Sequence, residues 1–174
     1  RPIGAAAALA CALLLAAAPA HDAAAQAFPS KPVKLVIPFP PGGATDIIGR
    51  TLAQKLSTQL GQNVIADNKP GAGGTLGSNE ASKAAPDGYT LLLATTSTHS
   101  IAPSLYKNIP YSVEKDFAPI SEVATATNVL IVAPNLPVKD VAELVALAKS
   151  KPDALNFASS GNGTIVHLQS ELFK

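Results

Sequence analysis

From Lys31 onward the apolar residues follow two alternating spacings, one that suits a buried strand and one that suits a helix face. Val33 to Phe39 is an almost continuous apolar run, as expected for a strand covered on both faces, and Pro40, Pro41, Gly42 and Gly43 end it. Ile47, Ile48, Thr51, Leu52, Lys55, Leu56 and Leu60 then recur at helical spacing, and Gly61 supplies a stop. Val64 to Asp67 predicts a second strand, followed by a glycine-rich turn over Pro70 to Gly77 and a short helix near Asn79 to Ala84. Asp87 and Gly88 turn the chain into a third buried strand, Tyr89 to Ala94. Three strands separated by helices predict an α/β fold with a parallel sheet and right-handed crossovers.

The pattern changes after Tyr111. Phe117 to Ile120 and Asn128 to Ala133 read as extended segments joined by small polar residues, as a crossing between domains would be. Asp140 with Glu143 forms a capping box ahead of a helix whose apolar face is Val141, Leu144, Val145 and Ala148. Leu155 to Ala158 predicts a further strand, Ser159 to Gly163 a small-residue loop, and Thr164 onward a helix with no stop signal before Lys174. The domain plan is therefore a leader over 1–27, the first part of domain 1 over 28–120, and a hinge crossing with the start of domain 2 over 121–174. The C-terminal half of such a protein would lie beyond this sequence.

The leader inflates the 47% apolar content. Pro2 to Ala20 is Ala- and Leu-rich, and Ala25, Gln26 and Ala27 form an A-x-A site, as in a cleavable secretory signal peptide. With Arg1 as its one basic residue and no Met, the sequence reads as starting inside that signal. Pro19 interrupts the run, which argues against a membrane span. Ala8 stands where a lipoprotein box would have Leu before Cys11. Cleavage would remove this one Cys, so the exported chain would hold no thiol ligand or thiol nucleophile. It would also remove one charge of each sign, leaving the net charge at +1. The dispersed Lys and Arg form no basic stripe, so nucleic acid is not an expected partner.

Three loops carry candidate chemistry, each at the carboxyl end of a predicted strand, where open α/β sheets bind ligands. The first, Pro38 to Asp46, leads into a helix N-terminus whose unpaired amides suit an anion; the same residues also suit a plain turn with Thr45 or Asp46 as N-cap. The second, Thr95 to His99, offers consecutive hydroxyls that can donate to a carboxylate. The third, Ser159 to Thr164, repeats the strand, glycine loop and helix order. Two such N-termini facing one another would hold an anion from both sides, which is a binding device and not a reaction centre.

Enzymatic patterns fail in turn. Gly71 to Gly77 displaces the third glycine of a dinucleotide loop, and no Gly-Lys-Ser/Thr occurs. G-x-S-x-G is absent around Ser159 and Ser160, which leaves a secreted α/β hydrolase as the weaker rival. Three His without H-E-x-x-H spacing, among them His99 and His167 with no obvious orienting partners, predict no metal site, no cofactor and no catalytic residue.

Taken together, PFPPGGATDIIGRTLAQKL, NKPGAGGTLG, APDGYTLLLATTSTHSIAPSLY, DFAPISEVA and NFASSGNGTIVHLQSELF, in that order from about Pro29 to the end, resemble the Bug (TctC-like) substrate-binding proteins of tripartite tricarboxylate transporters. The resemblance implies a two-domain periplasmic-binding-protein fold of the type II, flytrap kind, closing on a small carboxylate ligand. It implies membrane permease subunits as partners, or a sensor in an orphan co-receptor, and a periplasmic monomer when complete. By matching position, the ligand-binding residues are Phe39, Gly43, Ala44, Thr45, Asp46, Thr96, Ser97, Thr98, Ser159, Ser160, Gly163 and Thr164. The chain departs from the usual family residues at Ala94 to Thr98 and at Lys69, which bears on which hydroxyls meet the ligand.

Overall fold

The structure is a computed structural model that describes residues 27–174; the predicted signal segment, up to residue 26, lies outside the described residues. The account below concerns the unit Lys31–Lys174. Its centre is a three-stranded parallel sheet in the order β2-β1-β3, with β1 at Val33–Ile37, β2 at Val64–Asn68 and β3 at Thr90–Leu92. Val33 pairs with Val64 and Ile37 with Asn68 on one side, and Leu35 with Leu91 on the other. The apolar run thus forms a strand as expected, and it is the middle one of the three, with Val33, Leu35, Val36 and Ile37 buried.

Alternation along β1 assigns its two faces. Val33, Leu35 and Ile37 form the core with Ala53 of α1 (Ala44–Leu60), Val64 and Leu93, and Ile48, Leu52, Leu56 and Leu60 pack around them. On the opposite face Lys34 reaches Glu80 of α2 (Thr75–Ser82) at 3.1 Å. Two glycines permit this close packing. A Cβ on Gly49 would lie 2.6 Å from Ile37 Cδ1, and one on Gly77 would lie 2.7 Å from the Lys69 carbonyl oxygen and 2.9 Å from Pro38 Cα. The helix stop at Gly61 is as predicted, with φ 65° and ψ 14°.

Some boundaries differ from the expected ones. α1 begins at Ala44, three residues before the apolar spacing does, because its first turn carries polar work instead of core packing. α2 starts at Thr75, behind a short 3-10 turn over Ala72–Gly74; Gly77 looked like a breaker but marks a close approach to β1. β3 stops at Leu92, although the Leu93 amide still donates to the Val36 carbonyl at 2.9 Å. The segment after Thr95 is not a loop. It coils through a π-helical turn, Ser97–Ile101, into α3 (Ala102–Leu105).

The extended segments expected at Phe117 to Ile120 and Asn128 to Ala133, and the strand expected at Leu155 to Ala158, form no strand among the described residues. A strand needs a hydrogen-bonding neighbour, and these segments find none there, so Ile120, Val129 and Ile131 remain largely exposed. α4 (Val141–Ser150) does begin at the predicted capping box: the Glu143 amide donates to Asp140 Oδ1 at 2.8 Å. The Glu143 carboxylate reaches one residue further back than the motif describes, to the Lys139 amide at 2.7 Å. The last helix, α5, is Ile165–Phe173.

Candidate functional site

β1 delivers the chain into Pro38 and Phe39, and the turn Pro40 to Gly43 redirects it into α1. Gly42 has φ 88°, the value a type II turn requires at its third residue, where a side chain would be strained. Gly43 is the N-cap in an extended conformation, and no side chain caps the helix. Ala44 is exposed and Thr45 half-buried, and their backbone N–H groups have no protein partner among the described residues. An uncapped first turn of this kind presents oriented donors at the positive end of a 17-residue helix.

Asp46 sits in the same turn but faces inward, 4% exposed. Its carboxylate accepts from the Gly42 amide at 2.9 Å, from Arg50 Nε at 3.0 Å and from Asn68 Nδ2 at 2.9 Å. The Arg50 bond first, then the Gly42 amide and Asn68, hold its pKa at about 2, so it stays ionised. Asn68 is itself fully engaged. Its amide also donates to the Phe39 carbonyl at 3.0 Å, and its oxygen accepts from Arg50 Nη2 at 2.7 Å.

The hydroxyl run after β3 divides by direction. Thr96 is exposed. Thr98 is fully buried, with its Oγ1 accepting from the Thr95 amide at 3.1 Å and lying 2.8 Å from His99 Nδ1. The Tyr111 hydroxyl donates to the Thr98 carbonyl at 2.7 Å, and His99 packs against Tyr111 and Phe117. Ser97, 4% exposed, accepts from the Ile165 amide at 3.1 Å, and so caps the first turn of α5 from another part of the chain.

In the third loop Thr164 is the N-cap of α5, buried, donating to the Gly161 carbonyl at 2.7 Å and accepting from the His167 amide at 3.4 Å. Gly163 is buried against Leu105 and the Tyr106 hydroxyl, which donates to the Asn162 carbonyl at 2.8 Å. Ser159 accepts from the Gly161 amide at 3.3 Å, and Ser160 is exposed.

The structure therefore brings Phe39, Thr98, Ser97, Gly163 and Thr164 together around the turn at Gly73 and Gly74. A Cβ on Gly74 would meet Thr98 Cγ2 at 2.6 Å and Phe39 Cζ at 3.1 Å, and one on Gly73 would meet the Asn162 carbonyl oxygen at 2.9 Å. Residues 48–174 match the family described as tripartite tricarboxylate transporter family receptor. The chain belongs to this receptor family. It is 42% identical to a UPF0065 protein of Bordetella pertussis over 163 residues, covering 94% of this chain and 49% of that one. BugT of the same organism is 40% identical over 156 residues, 89% of this chain and 48% of BugT.

Among solved structures, one described as a periplasmic transporter superposes with TM-score 0.82 at 43% identity, covering 84% of this chain and 49% of that chain. An R. palustris protein solved with adipate gives TM-score 0.81 at 36% identity, over 84% and 49%. MatC of Rhodopseudomonas palustris with bound malate gives 0.71 at 32%, over 84% and 51%. The fold is thus the α/β architecture of periplasmic binding proteins. The chain spans about half the length of the curated relatives it matches.

Members of the receptor family are solute-binding receptors and not enzymes. His167 Nδ1 accepts from the Gly163 amide at 3.4 Å while Nε2 faces Glu171 at 3.7 Å. Both histidines thus have partners that the sequence did not reveal. Among the described residues no group of three His, Cys, Asp or Glu is disposed to hold a metal, and no helix is long and apolar enough to cross a membrane. Sequence reasoning passed over Gly73, Gly74, Asn68, Arg50 and Tyr106. The glycine pair is visible in the sequence as part of the Gly71 to Gly77 turn; the others carry no local signature.

Proposed function

We propose that the chain is the ligand-capturing part of a periplasmic receptor for a small carboxylate. The observation that carries this reading is the uncapped first turn of α1, where the Ala44 and Thr45 amides face outward beside the Gly42–Gly43 turn. The bound adipate and malate of the two R. palustris relatives support the ligand class.

The twelve residues singled out by resemblance take different parts in this proposal. Gly43, Ala44, Thr45 and Thr96 present donors or open space to the ligand, with Ser159 and Ser160 exposed on the third loop. Phe39, Asp46, Ser97, Thr98, Gly163 and Thr164 stand behind them and fix the loops, since their polar groups already have partners or are buried. With Arg50 paired to Asp46, the ligand is held by neutral donors at a helix end and not by a free cation. Closure around the ligand, an exported chain with a cleaved leader, a domain change near residue 120 and delivery to membrane permease subunits complete the proposal. A ligand favours closure only through contacts it makes better in the closed form.

The test is a thermal-shift screen of the full chain, unfolded and refolded to strip copurified ligand, against mono-, di- and tricarboxylates. An acid at a hundred times its dissociation constant should add about 2.7 kcal/mol of stability. A shift with one acid and none with its amide supports carboxylate capture, and no shift with any acid removes it.

A further inference from the structure

We propose that Asn68 and Arg50 are positioning residues that, through Asp46, hold the Gly42–Thr45 turn in the geometry a carboxylate needs. This rests on the carboxylate reading given above. The Asn68 side chain ends β2 and joins three points that the ligand loop must keep in register. It donates to the Phe39 carbonyl two residues beyond β1 and to Asp46 Oδ1 in α1, and it accepts from Arg50 one turn further along α1. Asp46 passes the constraint on to the Gly42 amide at 2.9 Å. The amide of the glycine whose positive φ makes the turn is therefore fixed by a carboxylate that is itself held by two other side chains.

Two features separate this arrangement from ordinary core packing. It lies outside the apolar cluster beneath α1, and Arg50 and Asn68 reach it from partly exposed positions. It also balances charge. Asp46 stands in the first turn, where an unpaired carboxylate would repel an anionic ligand, and Arg50 neutralises it without offering a free guanidinium to that ligand. Loss of Arg50 should consequently penalise a dianion more than its monoester, whereas loss of Asn68 should weaken both alike.

The experiment compares Asn68→Ala, Arg50→Gln and Arg50→Lys with the wild type in the full chain. Adipate, monomethyl adipate and malate are titrated calorimetrically, and the Asp46 carboxyl carbon and Gly42 amide are followed by NMR against pH. Asn68→Ala and Arg50→Gln should each lower adipate affinity about tenfold or more, the scale on which supporting contacts act on a bound group. The Asp46 midpoint should move up from about 2 towards 3.8, further in Arg50→Gln than in Asn68→Ala, and Arg50→Lys should restore the charge-dependent part of the affinity. If Asn68→Ala does not fold, Arg50→Gln on the exposed side of α1 carries the same test. Unchanged affinity in variants of a wild type that binds would overturn the positioning role alone. A wild type that binds neither acid moves the same comparison to the carboxylate that stabilises it in the thermal-shift screen, and a wild type that binds no acid of that panel removes the carboxylate reading and the positioning role together.

Discussion

Direction matters more than residue type at the scale of single side chains. Ser97, Thr98 and Thr96 are near-equivalent donors, yet one caps a distant helix, one is buried against His99 and one faces solvent. Burial in this cluster, between Tyr111 and Phe117, depresses the His99 pKa below its ordinary 6.5. A depressed histidine contributes stability that is fully present above about pH 6.5 and is lost as pH falls towards the folded-state value, because the unfolded chain takes up the proton first. Denaturant midpoints measured between pH 7.5 and 5 should therefore fall, and His99→Asn, which keeps a hydrogen-bonding partner for Thr98, should flatten that decline. An identical slope in the variant would contradict this assignment. The hydroxyl run was legible as a polar strand end. Its division of labour was not, because the partners, Ile165 and Tyr111, come from elsewhere in the chain.

Elements were readable where a local pattern carries its own cause. β1, β2, the Gly61 stop and the Asp140 cap follow from apolar spacing, a left-handed glycine and an acidic side chain on a free amide. α2 was misplaced because Gly77 serves a close approach that only packing reveals. Gly77→Ala should cost about 1–3 kcal/mol of stability by forcing backbone apart, although the same change on an open helix would gain up to about 1 kcal/mol. Urea unfolding reads the difference, and an unchanged or raised midpoint would mean that α2 can shift off Lys69 and Pro38. The strand expected at Leu155 to Ala158 shows the opposite error. Its composition is strand-like, but strand formation depends on a neighbour, which is not a local property.

Across the molecule, the turn at Gly73 and Gly74 links the loop from β1, the helical turn after β3 and the cap of α5. The Ser97 hydroxyl is the polar tie between the last two. In Ser97→Ala the Ile165 amide should exchange with solvent about fivefold faster, as expected for one lost hydrogen bond of about 1 kcal/mol. Exchange unchanged from wild type would mean that the tie is not closed in solution. The order of the motif blocks made the receptor family legible in sequence; the pairing of Asp46 with Arg50 in the first turn of α1 became visible only in three dimensions.

The most direct test of the proposed anion site at the α1 N-terminus removes one donor and nothing else. Ala44 is the first residue of α1, where proline suits the helix and its missing N–H breaks no helical bond, and the extended Gly43 before it is compatible with proline. The carboxylate that stabilises the wild type most in the thermal-shift screen is titrated calorimetrically into the full chain and into Ala44→Pro, adipate serving only if it is that acid. The account predicts a loss of about tenfold or more in the variant, the effect of one hydrogen bond to a charged group, with thermal stability of the free protein little changed. Equal affinity in the two would place the anion somewhere other than the α1 N-terminus and contradict the account.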